Sequence, residues 1–179
     1  MDWKKLIVGT SIKAGYKTNE DKAMRFIVDV MLGTLAKWLR IMGFDTIYDS
    51  HFSDDDLFFK AHQEQRILLT KDAKLAFKMN PKFSYYITEK KLSHQLIWLI
   101  NDLKLTPEIS IFSRCVLCNE KIKSIEKDLI KDKIPPYVYQ TRNEFFYCPY
   151  CNKVYWAGSH VEQAKKFLEN LSLKKNEQE

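Results

Sequence analysis

Two groups of residues in this sequence have the types and spacing to do chemistry. One is four cysteines in two C-x-x-C pairs, Cys115/Cys118 and Cys148/Cys151; the other is a set of aspartates that follow apolar runs. A C-x-x-C turn lets both thiolates reach one tetrahedral ion, and two such knuckles complete a closed four-thiolate site for Zn2+. Such a site has no open coordination position, so its zinc folds a module and does not catalyse. Redox motifs or buried free thiols are alternatives, but neither explains why the motif occurs twice.

Asp29 follows Phe26-Ile27-Val28, and Asp72 follows the run Arg66–Thr70 (RILLT). Both therefore stand at the C-terminal ends of strand-like stretches. In a parallel sheet the two side chains converge on the edge where α/β proteins bind ligands. Asp54-Asp55-Asp56 begins a helix that starts from that same edge. Three carboxylates meeting there repel one another and need a cation, and oxygen-only ligands suit Mg2+ or Mn2+. Such ions activate water and stabilise the leaving oxygen in phosphodiester hydrolysis. Each acid also has a plain structural reading: Asp29 as a helix cap, Asp54–Asp56 as partners of a helix dipole. Taken together, the acids favour the metal reading.

The elements that position these residues alternate strand and helix. From Met31 the apolar residues Leu32, Leu35, Ala36, Leu39 and Met42 recur at helical spacing, and Gly43 stands where a glycine ends a helix. Asp45–Tyr48 reads as a second strand. Ser53 with Asp56 forms a capping box for a helix running to about Gln65. Ala73–Met79 reads as a short helix closed by Pro81, Phe83–Thr88 as a strand, and Leu92–Leu103 as a helix with Leu92, Leu96, Leu99 and Leu103 on one face. This alternation predicts an α/β domain with a mainly parallel sheet and right-handed crossovers, ending near Thr106-Pro107. Beyond it, Ile109–Phe112 reads as a connecting strand, Lys121–Lys133 as a charged helical insert, Tyr137–Thr141 and Glu144–Tyr147 as strands, and Val161–Leu173 as an amphipathic terminal helix.

Composition sets bounds on this picture. The chain has 179 residues, 45% of them hydrophobic, which suits one ordinary domain with a small appendage. Its formal net charge of +6 is compatible with a polyanionic partner. No apolar run approaches a membrane span, and the N-terminal patch is too short for a signal peptide. Paired cysteines without a secretion signal place the protein in the cytoplasm.

The segments FIVDVMLGTLAKWLRIMGFDTIYD, QEQRILLTKD, RCVLCN and FFYCPYCNKVYWAGSH together resemble the Mutator-seven C-terminal RNase family, over about Phe26 to Leu171. The motifs D-x-M-L-G-x-L-A-x-W-L-R and C-x-x-C-x-K-V-Y-W-x-G-S-H carry the resemblance. It implies a PIN-like three-layer nuclease domain (26–107) joined to a zinc ribbon with a terminal helix (108–173). An N-terminal extension (1–25) and a polar tail (174–179) would flank them. By position it implies that Asp29 and Asp72 are catalytic, metal-binding acids. Asp55 is chosen as the third, with Asp54 or Asp56 as alternatives. PIN-like nucleases often have a fourth acid after a later strand; here that place offers only Glu89, a departure from the pattern.

Lys37, Arg40 and Lys71 are candidates for phosphate contact, Lys37 and Arg40 lying on the polar side of the first helix. In the cysteine half, Arg114, Lys153, Tyr155, Trp156 and His160 mix charge with rings able to stack on bases, although Tyr155 and Trp156 also suit packing under the zinc site. His160 has two readings, functional group or helix-start hydrogen-bonder. The expected function is Mg2+- or Mn2+-dependent hydrolysis of RNA, with the ribbon helping to hold the strand. The rival is a non-catalytic RNA-binding or adaptor protein with a degraded acidic site. RNA is the expected partner, and protein partners are left open.

Overall fold

A computed structural model describes residues 24–79, 83–105 and 110–175. Most of the N-terminal extension, the expected boundary near Thr106-Pro107 and the end of the polar tail lie outside the described residues.

The first strand, β1 (Arg25–Val28), shows how the domain is layered. Phe26, Ile27 and Val28 have no exposed surface. Side chains alternate across a strand, so Phe26 and Val28 join one apolar cluster and Ile27 joins another. The strand β3 (Ile67–Thr70) divides in the same way: Ile67 and Leu69 go to the first cluster, Leu68 to the second. With β2 (Asp45–Ile47) and β4 (Ser84–Tyr86) they form a parallel sheet in the order β2-β1-β3-β4. Helix α1 (Gly33–Ile41) and helix α4 (Leu92–Asp102) cover one face; α2 (Asp54–Gln63) and α3 (Ala73–Lys78) cover the other. The chain leaves β1 towards β2 and returns past it to β3, so the sheet has a switch point between the ends of β1 and β3. This is the expected three-layer α/β architecture.

A second sheet is antiparallel, in the order β5-β6-β7: β5 (Lys123–Ile125), β6 (Phe145–Tyr147) and β7 (Val154–Trp156). Ile125, Phe145 and Trp156 stand in register on one face and pack with Ile130 and Ile134. Three expectations fail in this half. Tyr137–Thr141 is not a strand but part of helix α5 (Pro136–Thr141), because Pro136 sits at the first helical position with its φ already set for a helix. The Lys121–Lys133 insert is not one helix: β5 pairs with β6, and a 3-10 turn follows at Lys127–Lys133 that buries Ile130. The third is the connecting strand, since 110–112 form no strand. Their amides instead cap the end of α1, Ser110 N–H donating to Met42 O (2.9 Å) and Phe112 N–H to Ile41 O (2.8 Å). This satisfies carbonyls that a helix end leaves unpaired. Gly43, at φ 94°, permits the approach, since a Cβ there would lie 2.4 Å from Ser110 O.

The terminal helix α6 (Ser159–Lys175), expected within the cysteine half, returns to the first core. Leu168 and Leu171 join the cluster of α1 and α4, and Phe167 meets Trp38 at 4.5 Å between ring centroids.

Arg40 corrects another expectation. It is only 5% exposed, not on the solvated side of α1. Its Nε donates to Thr46 O (2.9 Å), and its Nη1 donates to Val116 O (3.1 Å) and Leu117 O (2.7 Å) in the first cysteine knuckle. Burial pulls its pKa below the usual value, yet a guanidinium stays charged. Beside it, Asn119 Oδ1 accepts from Thr46 N–H, an edge-strand amide, and Asn119 Nδ2 donates to Asp45 Oδ1 (both 2.9 Å). Burial acts to raise the Asp45 pKa, but hydrogen bonds from Arg66 and Asn119 and the charges of Arg66 and Arg114 outweigh it and hold the carboxyl low. Arg40→Ala removes the donor from three carbonyls. The expected cost is about 3 kcal/mol, or a Tm drop on the order of 10 °C, in thermal unfolding of the zinc-loaded protein. An unchanged Tm would show that the knuckle docks without Arg40.

Candidate functional site

The switch point is where the acids meet the chain's polar edge. Asp29 continues the ladder, its N–H donating to Leu69 O (3.0 Å), and then the backbone turns into a 3-10 turn, Val30–Leu32. Asp29 is 5% exposed, and its carboxylate accepts from three donors. Oδ2 accepts from the Thr70 hydroxyl (2.6 Å) and Lys71 N–H (3.3 Å), and Oδ1 accepts from Met31 N–H (3.2 Å). Asp72 caps α3, its Oδ1 accepting from Lys74 N–H (2.6 Å) and Leu75 N–H (3.0 Å). Thr70 joins the two: its Oγ1 accepts from Asp72 N–H (2.9 Å) while its hydroxyl donates to Asp29. Both acids thus act as caps, and both sit at neighbouring strand ends with one hydroxyl between them. Thr70 was missed in the sequence; the signal was a polar residue ending an otherwise apolar strand, directly before Lys71 and Asp72.

The other candidate acids stand apart. The capping box at the start of α2 is present as expected, with Asp56 Oδ2 accepting from Ser53 N–H (3.0 Å) and from the Ser53 hydroxyl (2.6 Å). These bonds hold the Asp56 carboxyl below its usual range. Asp55 is 73% exposed and pairs with Lys78 Nζ (3.1 Å), and Asp54 is exposed. Glu89 is half-buried after β4, with an oxygen 3.5 Å from His94 Nδ1. His160 is exposed in the first turn of α6. Among the described residues, the four cysteines are the one group of three or more side chains close enough to share an ion. Asp29, Asp55 and Asp72 do not form a second.

A cleft of about 580 Å³ opens beside Asp29 on the α1/α4 side of the sheet. It takes in the 3-10 turn, the start of α1, Tyr48 and the start of α4, and three lysines line it: Lys37, Lys71 and Lys90.

The two cysteine knuckles repeat each other closely. Asn119 N–H donates to Cys115 O and Asn152 N–H to Cys148 O, both 2.9 Å, and each asparagine has a positive φ. The amide of each second cysteine donates to the sulfur of the first at 3.5 Å. All four Sγ atoms lie within 4.8 Å of one another, with Cys118–Cys148 at 3.3 Å, Cys115–Cys151 at 3.5 Å and Cys118–Cys151 at 3.8 Å. A tetrahedron with Zn–S near 2.3 Å has edges of roughly 3.8 Å, whereas a disulfide needs about 2.05 Å. The donor set therefore fits a single zinc ion and no cross-link. Burial acts to raise the Cys115 pKa, but the Tyr155 hydroxyl at 3.0 Å and the amides of Cys118 and Leu117 outweigh it and hold the thiol at about 6. Cys118 is pushed up to about 12, chiefly by burial.

Several residues considered for RNA contact have structural duties here. Tyr155 serves Cys115, Trp156 packs on the ribbon core, and Arg114 donates to Gly43 O (3.2 Å) and Asn119 O (2.9 Å). Lys153 is exposed.

An α/β domain with acids at its switch point, followed by a four-cysteine metal module, is the class that this fold and site define. The family model of the Mut7-C RNAse domain matches residues 24–168, most of the chain, and the protein belongs to that family. Membership gives it a nuclease or RNA-related function. A comparison with curated proteins gives no match. Among the described residues no helix is long and apolar enough to cross a membrane.

Proposed function

We propose that the protein is a PIN-like ribonuclease that hydrolyses RNA phosphodiesters with Mg2+ or Mn2+. The observation that carries this reading is the pairing of Asp29 and Asp72 at adjacent strand ends, linked through Thr70, in a protein of an RNase family. The donors are all oxygens, as a hard cation requires. When bound, the ion would activate water and offset charge on the leaving oxygen. Asp29 is fixed by three donors, and Asp72 keeps Oδ2 without a protein partner among the described residues. Asp55, on the first turn of α2, is the third acid of this reading, and its exposed carboxylate pairs with Lys78. Thr70 is a positioning residue for the first two. The zinc ion holds the ribbon and has no step in the reaction. Four reduced thiols suit a reducing compartment such as the cytoplasm.

The test is cleavage of end-labelled single-stranded RNA by zinc-loaded protein, with Mn2+, Mg2+ or no added divalent ion. Cleavage is expected only with the added ion. A second reading, a non-catalytic RNA-binding or adaptor protein, is favoured by one observation: Asp55 is tied to Lys78, and among the described residues no third acid lies close enough to Asp29 and Asp72 to share an ion with them. Binding without cleavage under every ion condition would make it the better account.

A further inference from the structure

The cleft beside Asp29 has a lining that the acids do not explain. Lys37 comes from α1, Lys71 from the turn after β3, and Lys90 from the loop before α4. Three cations from three separate segments share one concave surface, with no carboxylate side chain among the described residues that line it. None of the three forms an ion pair among the described residues. Two acids adjacent in sequence to lining residues have partners of their own, Asp29 its three donors and Glu89 the His94 ring at 3.5 Å. Gathering like charges in a recess is unfavourable unless an anion enters it.

The same cleft has an apolar lip. Val30 is 45% exposed and Met31 64% exposed, directly after Asp29. Tyr48 forms a wall over the start of α1, close enough that a Cβ on Gly33 would lie 2.7 Å from its hydroxyl oxygen. Cations beside exposed apolar atoms and a ring suit a ligand with a charged and a flat part. A volume of about 580 Å³ falls in the range of small-ligand pockets and is far too small for a duplex.

We infer that this cleft is a subsite for one nucleotide unit of single-stranded RNA next to the bond to be cut. Lys37, Lys71 and Lys90 contact its phosphates, and Val30, Met31 and Tyr48 contact its base and sugar. This rests on the ribonuclease reading above, and it adds the side of the sheet on which the strand lies and the class of strand accepted.

The test is fluorescence anisotropy of a short labelled oligouridine with zinc-loaded full-length protein and no Mn2+ or Mg2+, so that nothing is cut. Each phosphate contact contributes about 0.7 to the slope of log affinity against log salt for single strands. The triple variant Lys37→Gln/Lys71→Gln/Lys90→Gln is expected to lose at least tenfold in affinity at low salt and about 2 in slope. Lys165→Gln/Lys166→Gln, two exposed positions on α6, should change neither. Met31→Ala should weaken binding severalfold with the slope unchanged. Thermal unfolding of each variant checks that it is folded. If wild type binds RNA and the triple variant keeps the wild-type slope, the cleft inference is overturned and the ribonuclease reading stands. If wild type binds no RNA, the ribonuclease reading itself falls. If inorganic phosphate competes as well as uridine monophosphate, the lip recognises nothing and the nucleotide assignment is wrong.

Discussion

Asp29→Asn is expected to lower cleavage of single-stranded RNA at least about a hundredfold, the scale on which removing one preorganised charge-stabilising group acts, while RNA binding is retained. The environment of the carboxylate explains why activity should fall much further than stability. An asparagine Oδ1 can still accept from Met31 N–H, but its amide nitrogen then faces the Thr70 hydroxyl and Lys71 N–H. Thr70 can turn its hydroxyl and accept from the amide, since an oxygen has two lone pairs and Asp72 N–H uses one. Lys71 N–H loses its acceptor. That is one unsatisfied polar group, worth about 1–3 kcal/mol. The charge needed to hold a divalent cation is lost altogether. Cleavage rate, binding affinity and Tm measured on the same preparation separate these effects. A variant that binds and cuts like wild type would remove Asp29 from the chemistry and leave it as a cap.

The parts of this arrangement that were legible in the sequence are those written in local pattern. The strands β1 and β3 are short apolar runs buried on both faces, and α1 has a helical apolar stripe ending at Gly43. The α2 start has a capping box whose two residues are three apart. The cysteine knuckles could be read because ligand spacing is itself local. What was not legible depends on contacts between distant segments. Arg40 lies four residues after Ala36, on the buried side of α1, but a buried arginine is tolerable only because carbonyls of Val116 and Leu117 receive it. The cleft is built from three loops and helix starts that no single stretch of sequence brings together. The three-residue strand β7 was missed because Val154–Trp156 is too short to show alternation, and the Pro135-Pro136 pair that starts α5 precedes residues with strand-like side chains.

Removing zinc is the second large effect to expect, and the size of the ribbon's core is the reason. Its three strands have three residues each, and among the described residues only Ile130, Ile134 and Phe145 are buried in its cluster. A core that small does not hold a module unaided. Zinc contributes apparent binding free energies of about 10–16 kcal/mol in small zinc modules, far more than these side chains can. A chelator, or Cys118→Ser with one thiolate lost, should therefore unfold residues 114–156. The loss should pass to the first domain, because the folded knuckle supplies the Val116 and Leu117 carbonyls that hold Arg40, and the Asn119 side chain that covers the β2 edge. Hydrogen exchange should show β5–β7 unprotected first, then lowered protection at Thr46, with β1 and β3 least affected. Protons compete with zinc for the thiolates, so loading should weaken as pH falls. Full protection of β5–β7 in verified zinc-free protein would mean that side-chain packing alone holds the ribbon. Loss confined to β5–β7, with Thr46 still protected, would mean that the Arg40 and Asn119 contacts do not couple the metal site to the α/β domain.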